Sequence, residues 1–274
     1  MIVVTGASGQ VGGLVARELE RLGEPMRLTA RDPSRLPGVA GAEVAQLDYG
    51  DPESVRRAVA PGDRVFMVSL HEPPIRRIPL HQSFVTAAAE AGAAHVVYLS
   101  FVNAGPEATF LHARAHGATE AMLADAGLPF TAIRNGMYAD DLMGWFDPDG
   151  VAREPGGEGR ISFSSRGELA RVIGIVLTTD GHDGKAYDIT TPESVTLGEL
   201  AEIATRVTGR EHRYEPETDD DWVERWESSG RGGWHVEVGL SVYAALRAGE
   251  LDVVRDDYRR LTGDAPRSIE TFVS

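Results

Sequence analysis

The 274-residue sequence contains no cysteine and only one lysine, Lys185. The first absence excludes disulfides, thiolate catalysis and cysteine-ligated zinc. Positive charge is scarce throughout: 27 Lys and Arg face 42 Asp and Glu, for a formal net charge of −15. With no general positive field, neither nucleic acid nor an anionic membrane is expected as a partner. A local site for a small anion is not excluded, because it needs only backbone dipoles and one or two arginines. No apolar run approaches membrane-spanning length. A core strand expected from residue 2 leaves no room for a signal peptide, so a soluble cytoplasmic protein is the default expectation. Hydrophobic residues make up 42% of the chain, enough for one large α/β unit or a nucleotide domain plus a smaller lobe.

What the chain does have begins at its N-terminus. The apolar run Ile2 to Val4 breaks at Gly6, and a helical pattern then carries Leu14, Val15, Leu19 and Leu22. Between them stands Thr5-Gly-Ala-Ser-Gly-Gln-Val-Gly12, with glycines at 6, 9 and 12, a GxxGxxG spacing rather than GxGxxG. A strand feeding a glycine turn and a helix brings backbone N–H groups close to a dinucleotide pyrophosphate, and the helix N-terminus adds its positive dipole. The same triplet also marks ordinary strand–turn–helix corners; its position between the first strand and first helix favours the nucleotide site. Met26 to Ala30 reads as the second strand, followed directly by Arg31-Asp-Pro-Ser-Arg35, where an adenosine ribose would lie. Arg31, with Arg35 as a second contact, suits a 2′-phosphate and so favours NADP(H) over NAD(H). Two alternatives stay open: a merely solvated arginine, or Asp32 serving the ribose hydroxyls with Arg31 turned away.

A third strand from Ala42 to Leu47 ends at Asp48-Tyr49, where the adenine edge would fall, and Asp51 with Pro52 opens a helix. Arg64 to Leu70 reads as a buried strand closing on Ser69 and Leu70, and His71 to Ile75 should then run over the cofactor. The pattern continues with a helix Gln82 to Ala91, a strand His95 to Leu99 delivering Ser100, a helix His112 to Asp125, and a strand Phe130 to Ile133 leading to Arg134-Asn-Gly-Met-Tyr138. Six strands alternating with helices predict a Rossmann-type doubly wound parallel α/β sheet over residues 1–138. Residues 139–274 read as a small mixed α/β C-terminal substrate lobe interwoven with that sheet. Its expected parts are a short helix Tyr138 to Phe146, a loop Asp147 to Gly159, capping boxes at Ser165 and Thr196, a strand Ala186 to Ile189 and a closing helix Pro266 to Val273. Ligands of open α/β sheets bind outside the carboxyl edge, so this lobe should wall the substrate pocket.

By these residues the chain resembles the NmrA-like branch of the atypical short-chain dehydrogenases, and within it the bacterial NAD(P)H quinone oxidoreductase and triphenylmethane reductase group. The matching stretches are TGASGQVG (Thr5–Gly12), ARDPSR (Ala30–Arg35), HVVYLSF (His95–Phe101), HGATEAML (His116–Leu123), GLPFTAIRNGMY (Gly127–Tyr138) and RRLTGDAPRSIETFV (Arg259–Val273). The resemblance implies that Gly6, Ser8, Gln10, Val11, Arg31, Ser69 and Ser100 line the NADP(H), with Asn135, Gly136 and Tyr138 near the nicotinamide and substrate. Together with Thr5, Gly9, Gly12, Arg35, Asp48 and Leu70, these make up the candidate cofactor set; Tyr138 is also a candidate catalytic residue.

The single lysine limits the chemistry. Short-chain reductases commonly use a Tyr and a Lys four residues apart, and here Gly181 stands four residues before Lys185. Aligned on Glu120, His116 takes the lysine position and His112 the tyrosine position, one helical turn apart. Three readings compete: hydrogen bonds to cofactor or backbone, proton donation near neutral pH by His112 or His116, and a metal site completed by Glu120, which no further ligand cluster supports. A simple ketone would need a well-placed acid. A quinone or another conjugated acceptor needs mainly proximity to the nicotinamide, because its reduced anion is weakly basic. The expected function is therefore an NADPH-dependent reductase of a small planar or conjugated acceptor, walled by Phe101, Tyr138, Trp145 and Phe146. The alternatives are an NADP(H)-sensing regulator without turnover, or a ketone or imine reductase using His112 as acid. A homodimer is left open.

Overall fold

A computed structural model of the chain describes residues 1–230 and 232–273. In chain order the elements are β1 (Ile2–Val4), α1 (Gln10–Leu22), β2 (Met26–Ala30), β3 (Glu43–Gln46), α2 (Pro52–Ala58), β4 (Arg64–Met67), α3 (Pro74–Glu90), β5 (His95–Phe101), α4 (Leu111–Asp125), β6 (Phe130–Asn135) and β7 (Met137–Tyr138). Then come β8 (Val151–Glu154), β9 (Ile161–Ser164), α5 (Arg166–Thr178), β10 (Ala186–Ile189), β11 (Ser194–Val195), α6 (Leu197–Thr208), β12 (Arg213–Pro216), α7 (Asp219–Ser228), α8 (Trp234–Arg247) and α9 (Asp257–Thr262).

The main sheet has seven strands in the order β10-β6-β5-β4-β1-β2-β3, every pair parallel. It is the expected Rossmann-type doubly wound sheet with one strand more, because β10 extends the edge by pairing Ala186 with Ala132. Parallel strands covered on both faces must be apolar on both faces, and the central strands are. Ile2, Val4, Phe66, Val97 and Leu99 pack beneath α1 and α5, while Val3, Val65, Met67, Val96 and Tyr98 pack beneath α2, α3 and α4. Each fully buried large side chain in these layers contributes about 1.5–3 kcal/mol of apolar transfer.

Several boundaries differ from expectation, each for a traceable reason. The β4 ladder stops at Met67 rather than Leu70 because side chains take over: Val68 N–H donates to Thr5 Oγ1 at 3.0 Å, and Tyr49 Oη donates to Val68 O at 2.8 Å. Helix α3 starts at Pro74 rather than Gln82 and runs through Pro79. The loop 147–159 contains β8, which pairs with the distant β12, a partner no local pattern reveals. The Thr196–Glu199 capping box is reciprocal, at 3.1 and 3.0 Å. At Ser165 only half the box forms, because Glu168 turns to the Arg267 N–H at 2.8 Å. The expected helix over Pro266–Val273 is a single 3₁₀ turn, Ile269–Phe272, whose entry is tied down by that bond and by the Ile269 N–H bond to Glu193 at 2.5 Å.

The second core gathers Leu142, Phe163, Leu200, Trp222, Tyr243 and Leu246, and it is continuous with Phe101 and Phe110 at the carboxyl edge of the main sheet. Among the described residues, no helix is long and apolar enough to cross a membrane.

Candidate active site

Two cavities meet at the carboxyl edge, sharing Gly6, Gly9, Val68, Ser69, Leu70 and His71 as a common wall. The smaller, about 320 Å³, is lined by Ser8, Ala30, Arg31, Leu47, Asp48 and Tyr49 at the ends of β1, β2 and β3. The larger, about 590 Å³, extends from the glycine turn past Arg77, His112 and His116 to Phe101, Phe110, Asn135 and Tyr138.

The glycine turn has the form a pyrophosphate requires. Gly6 has φ of 58°, and a Cβ there would lie 2.5 Å from Val68 Cγ1. A Cβ on Gly12 would collide with the Gly6 carbonyl oxygen. No side chain caps α1 and no acidic residue stands in its first turn, so its N–H groups remain available to an anion. Along the smaller cavity, Arg31 is exposed at the end of β2 without a carboxylate partner among the described residues. Leu47, Tyr49, Val68 and Leu80 supply apolar walls suited to an adenine. These residues fit a dinucleotide; when bound, it would supply a hydride from its nicotinamide.

In the larger cavity α3 and α4 converge. Arg77 approaches His116 Nε2 at 3.5 Å through Nη1 and His112 Nε2 at 3.4 Å through Nη2. An arginine only donates, so both Nε2 atoms present lone pairs and the protons lie on Nδ1. His116 Nδ1 then donates to Tyr98 Oη at 2.8 Å. His81 is set in the same way: its Nε2 accepts from the Leu70 N–H at 3.2 Å, and its Nδ1 donates to Thr119 Oγ1 at 2.9 Å. Burial, reinforced by the Arg77 charge, pushes His81 and His112 down to about 3 and His116 well below its ordinary value. All three imidazoles are therefore neutral at pH 7. Burial raises the Tyr98 phenol to about 12 and raises Tyr138 too, so both keep their protons. The Arg166 guanidinium lies 4.1 Å above the Tyr138 ring and is itself paired with Asp141.

The structure brings most of the candidate residues to these two cavities and moves a few away. Gly6, Gly9, Gln10, Val11, Gly12, Ser69, Leu70, Asn135, His112, His116 and Tyr138 line the larger one, and Ser8, Arg31 and Asp48 the smaller. Thr5 is fully buried behind the wall, where its Oγ1 bonds Tyr49 Oη at 2.8 Å and joins β1 to β4. Ser100 is buried as well, donating to Glu120 at 2.5 Å, and Glu120 is held by Arg134 at 2.6 Å. Arg35 is exposed and outside both linings. Trp145 and Phe146 do not wall the pocket: Trp145 packs on Phe163 and Tyr243, and Phe146 on His212, in the second core. Proton donation by His112 or His116 as imidazolium finds no support in an environment that keeps both neutral.

Arg77 escaped the sequence reading, which began this helix only at Gln82. A signal was present. Arg77, His81, Phe84, Val85 and Ala88 recur at helical spacing on one buried stripe, and a charge on such a stripe demands a partner.

A doubly wound sheet with a glycine turn and two joined cavities at its carboxyl edge defines a dinucleotide-binding protein of the Rossmann type. The chain belongs to the NAD(P)H-binding, NmrA-like family: the model of NAD(P)H-binding proteins matches residues 6–180. It is 30% identical to quinone oxidoreductase 2 of Escherichia coli over 84% of this chain and 82% of that one. A solved structure of NADPH-dependent quinone oxidoreductase from the same organism, complexed with NADPH, superposes with a TM-score of 0.92 at 27% identity, covering 100% of this chain and 98% of that one. Identity is 35% to the (4-alkanoyl-5-oxo-2,5-dihydrofuran-3-yl)methyl phosphate reductase of Streptomyces griseus, over 78% of this chain and 76% of that one. The triphenylmethane reductase of Citrobacter sp., complexed with NADP(H), gives a TM-score of 0.90 at 29% identity, covering 100% and 99%. The family is one of NAD(P)H-dependent reductases, quinone oxidoreductase and azoreductase among them.

Proposed function

We propose that the protein is an NADPH-dependent reductase that passes hydride directly to a quinone or similar conjugated acceptor. The observation that carries this reading is the larger cavity. It continues from the glycine turn into a chamber whose lining includes Leu99, Phe101, Phe110, Met137 and Tyr138, apolar walls suited to a flat ring. Residues beyond 138 contribute to its lining through Asp141 and Arg166, consistent with a substrate-binding role for the segment 139–274. Quinone and dye reduction by relatives of this family supports the same acceptor class.

The preference for NADPH over NADH rests on the β2 end. There Arg31 lines the smaller cavity, whereas Asp32 lies outside its lining and accepts from Ser34 through Oδ1. For catalysis the chain's own task is positioning. The glycine turn and Arg31 would fix the dinucleotide, the apolar walls would exclude water, and Tyr138 would hold a proton at its Oη near the acceptor. Arrival of hydride converts a quinone to a hydroquinone anion, whose single remaining proton can come from water or that phenol, so the missing Tyr–Lys pair is not needed. The test is NADPH oxidation against a panel of benzoquinones, naphthoquinones and a triphenylmethane dye, with equimolar hydroquinone or leuco dye as product. NADPH binding without turnover of any acceptor would instead make the protein a cofactor sensor.

A further inference from the structure

Arg77 is 3% exposed, lines the larger cavity and has no carboxylate partner among the described residues. Glu72 lies in the same segment, but its ion pair is with Arg76, at 3.7 Å. Of the five N–H donors of the guanidinium, two reach imidazole nitrogens over long contacts of 3.4 and 3.5 Å, and Nε is buried with no partner at all. Those imidazoles are neutral, so nothing in contact with Arg77 carries negative charge. A further buried atom of the same wall, His112 Nδ1, also lacks a partner. A buried cation among unsatisfied donors is strongly unfavourable unless an anion reaches it.

The cofactor's phosphates have other places to go. The pyrophosphate belongs to the glycine turn, and the 2′-phosphate to Arg31 in the smaller cavity, which Arg77 does not line. Arg77 stands instead on the α4 side, beside Phe101, Phe110 and His112, where the acceptor ring would sit. With Nε2 turned to the guanidinium, His112 has its Nδ1–H free as a second donor. A planar fork plus one N–H is the donor set that grips an oxyanion group.

We propose that Arg77, with His112, forms an anion-recognising subsite in the acceptor half of the cavity, selecting conjugated acceptors that bear a fixed oxyanion substituent such as a carboxylate, sulfonate or phosphate monoester. The inference rests on the reductase reading for where the ring lies, but its test is a binding measurement. The probes are 1,4-naphthoquinone and 1,4-naphthoquinone-2-sulfonate, titrated calorimetrically into the full-length protein saturated with NADP⁺. The sulfonate should bind at least about tenfold more tightly than the neutral quinone, as expected for a charge-assisted bond to a buried arginine. Arg77→Gln should bring the ratio of the two dissociation constants to about one, and Arg77→Lys should recover part of it. Equal affinities in the wild-type protein would overturn the subsite, as would a loss of NADPH affinity in Arg77→Gln larger than the loss for the sulfonate. If Arg77→Gln does not fold, the wild-type ratio and Arg77→Lys decide the matter. Selective binding without any turnover would overturn the reductase reading and leave the subsite standing; turnover without selectivity would do the reverse.

Discussion

Ser34 holds one oxygen of Asp32: the Asp32 Oδ1 accepts from the Ser34 backbone N–H at 3.0 Å and from its hydroxyl at 2.7 Å. The pair caps the short turn that follows β2, and Asp32 lies outside the lining of the smaller cavity. Arg31 remains as the group facing the smaller cavity. Arg31→Ala should therefore raise the NADPH dissociation constant by about 10- to 100-fold, the worth of a hydrogen-bonded charge pair, and change that of NADH by less than about threefold. Fluorescence titration with both cofactors checks this, and equal losses for the two would remove the argument for NADPH.

Gly12 and Gly13 are neighbours with opposite tolerances. A methyl at Gly12 would strike the Gly6 carbonyl, whereas one at Gly13 would lie 3.4 Å from the Ala7 oxygen, an ordinary contact. Gly12→Ala should cost about 1–3 kcal/mol of stability through overpacking and abolish measurable NADPH binding. Gly13→Ala, inside α1, should be neutral or gain about 0.5–1 kcal/mol from helix propensity. Thermal melts with and without NADPH separate the two effects.

The features legible in the sequence were those with a local cause. The glycine turn, the Asp51 and Thr196 caps and the alternating strands of the sheet depend on residues close together in the chain, and the helix α1 ends at Gly23 as its pattern requires. What escaped depends on distant partners. β8 exists because β12 pairs with it, the C-terminal segment is tied at its entry by Glu168 and Glu193 from other elements, and Ser100 lies outside both cavities, bonded to Glu120, which Arg134 holds. In the site, the histidine pair on α4 could be placed from spacing alone. Its protonation could not, because that follows from burial in the folded site, reinforced by Arg77 on another helix.

That protonation has a consequence for stability. His81 is fully buried between Arg77, Tyr49, Tyr98 and Thr119, and stays neutral down to about pH 3, whereas an unfolded imidazole takes up a proton near 6.5. Between these values the unfolded state binds the extra proton, so stability falls as the pH drops below about 6.5, by about 1.4 kcal/mol per pH unit for each such imidazole. His112 and His116 act in the same direction. Urea unfolding at a series of pH values from 7 to 5 should show this loss, and His81→Gln should reduce the slope by about 1.4 kcal/mol per unit. An unchanged slope in that variant would mean that His81 is charged in the folded protein.

Tyr138 separates the two kinds of chemistry the cavity could perform. Its ring is held under Arg166 at 4.1 Å and its phenol keeps its proton, so it can donate, though as a weak acid. Tyr138→Phe preserves the ring, the cation–π contact and the apolar wall while removing only the Oη proton. If the acceptor is a quinone, hydride arrival leaves a hydroquinone anion that water protonates readily, and kcat should fall by less than about tenfold with little change in its pH profile. If the acceptor is a ketone, the alkoxide needs an acid during transfer, and the same substitution should cost about 10²- to 10⁴-fold. A loss of the larger size with quinones themselves would make Tyr138 the general acid and would show that proximity to the nicotinamide is not sufficient in this site.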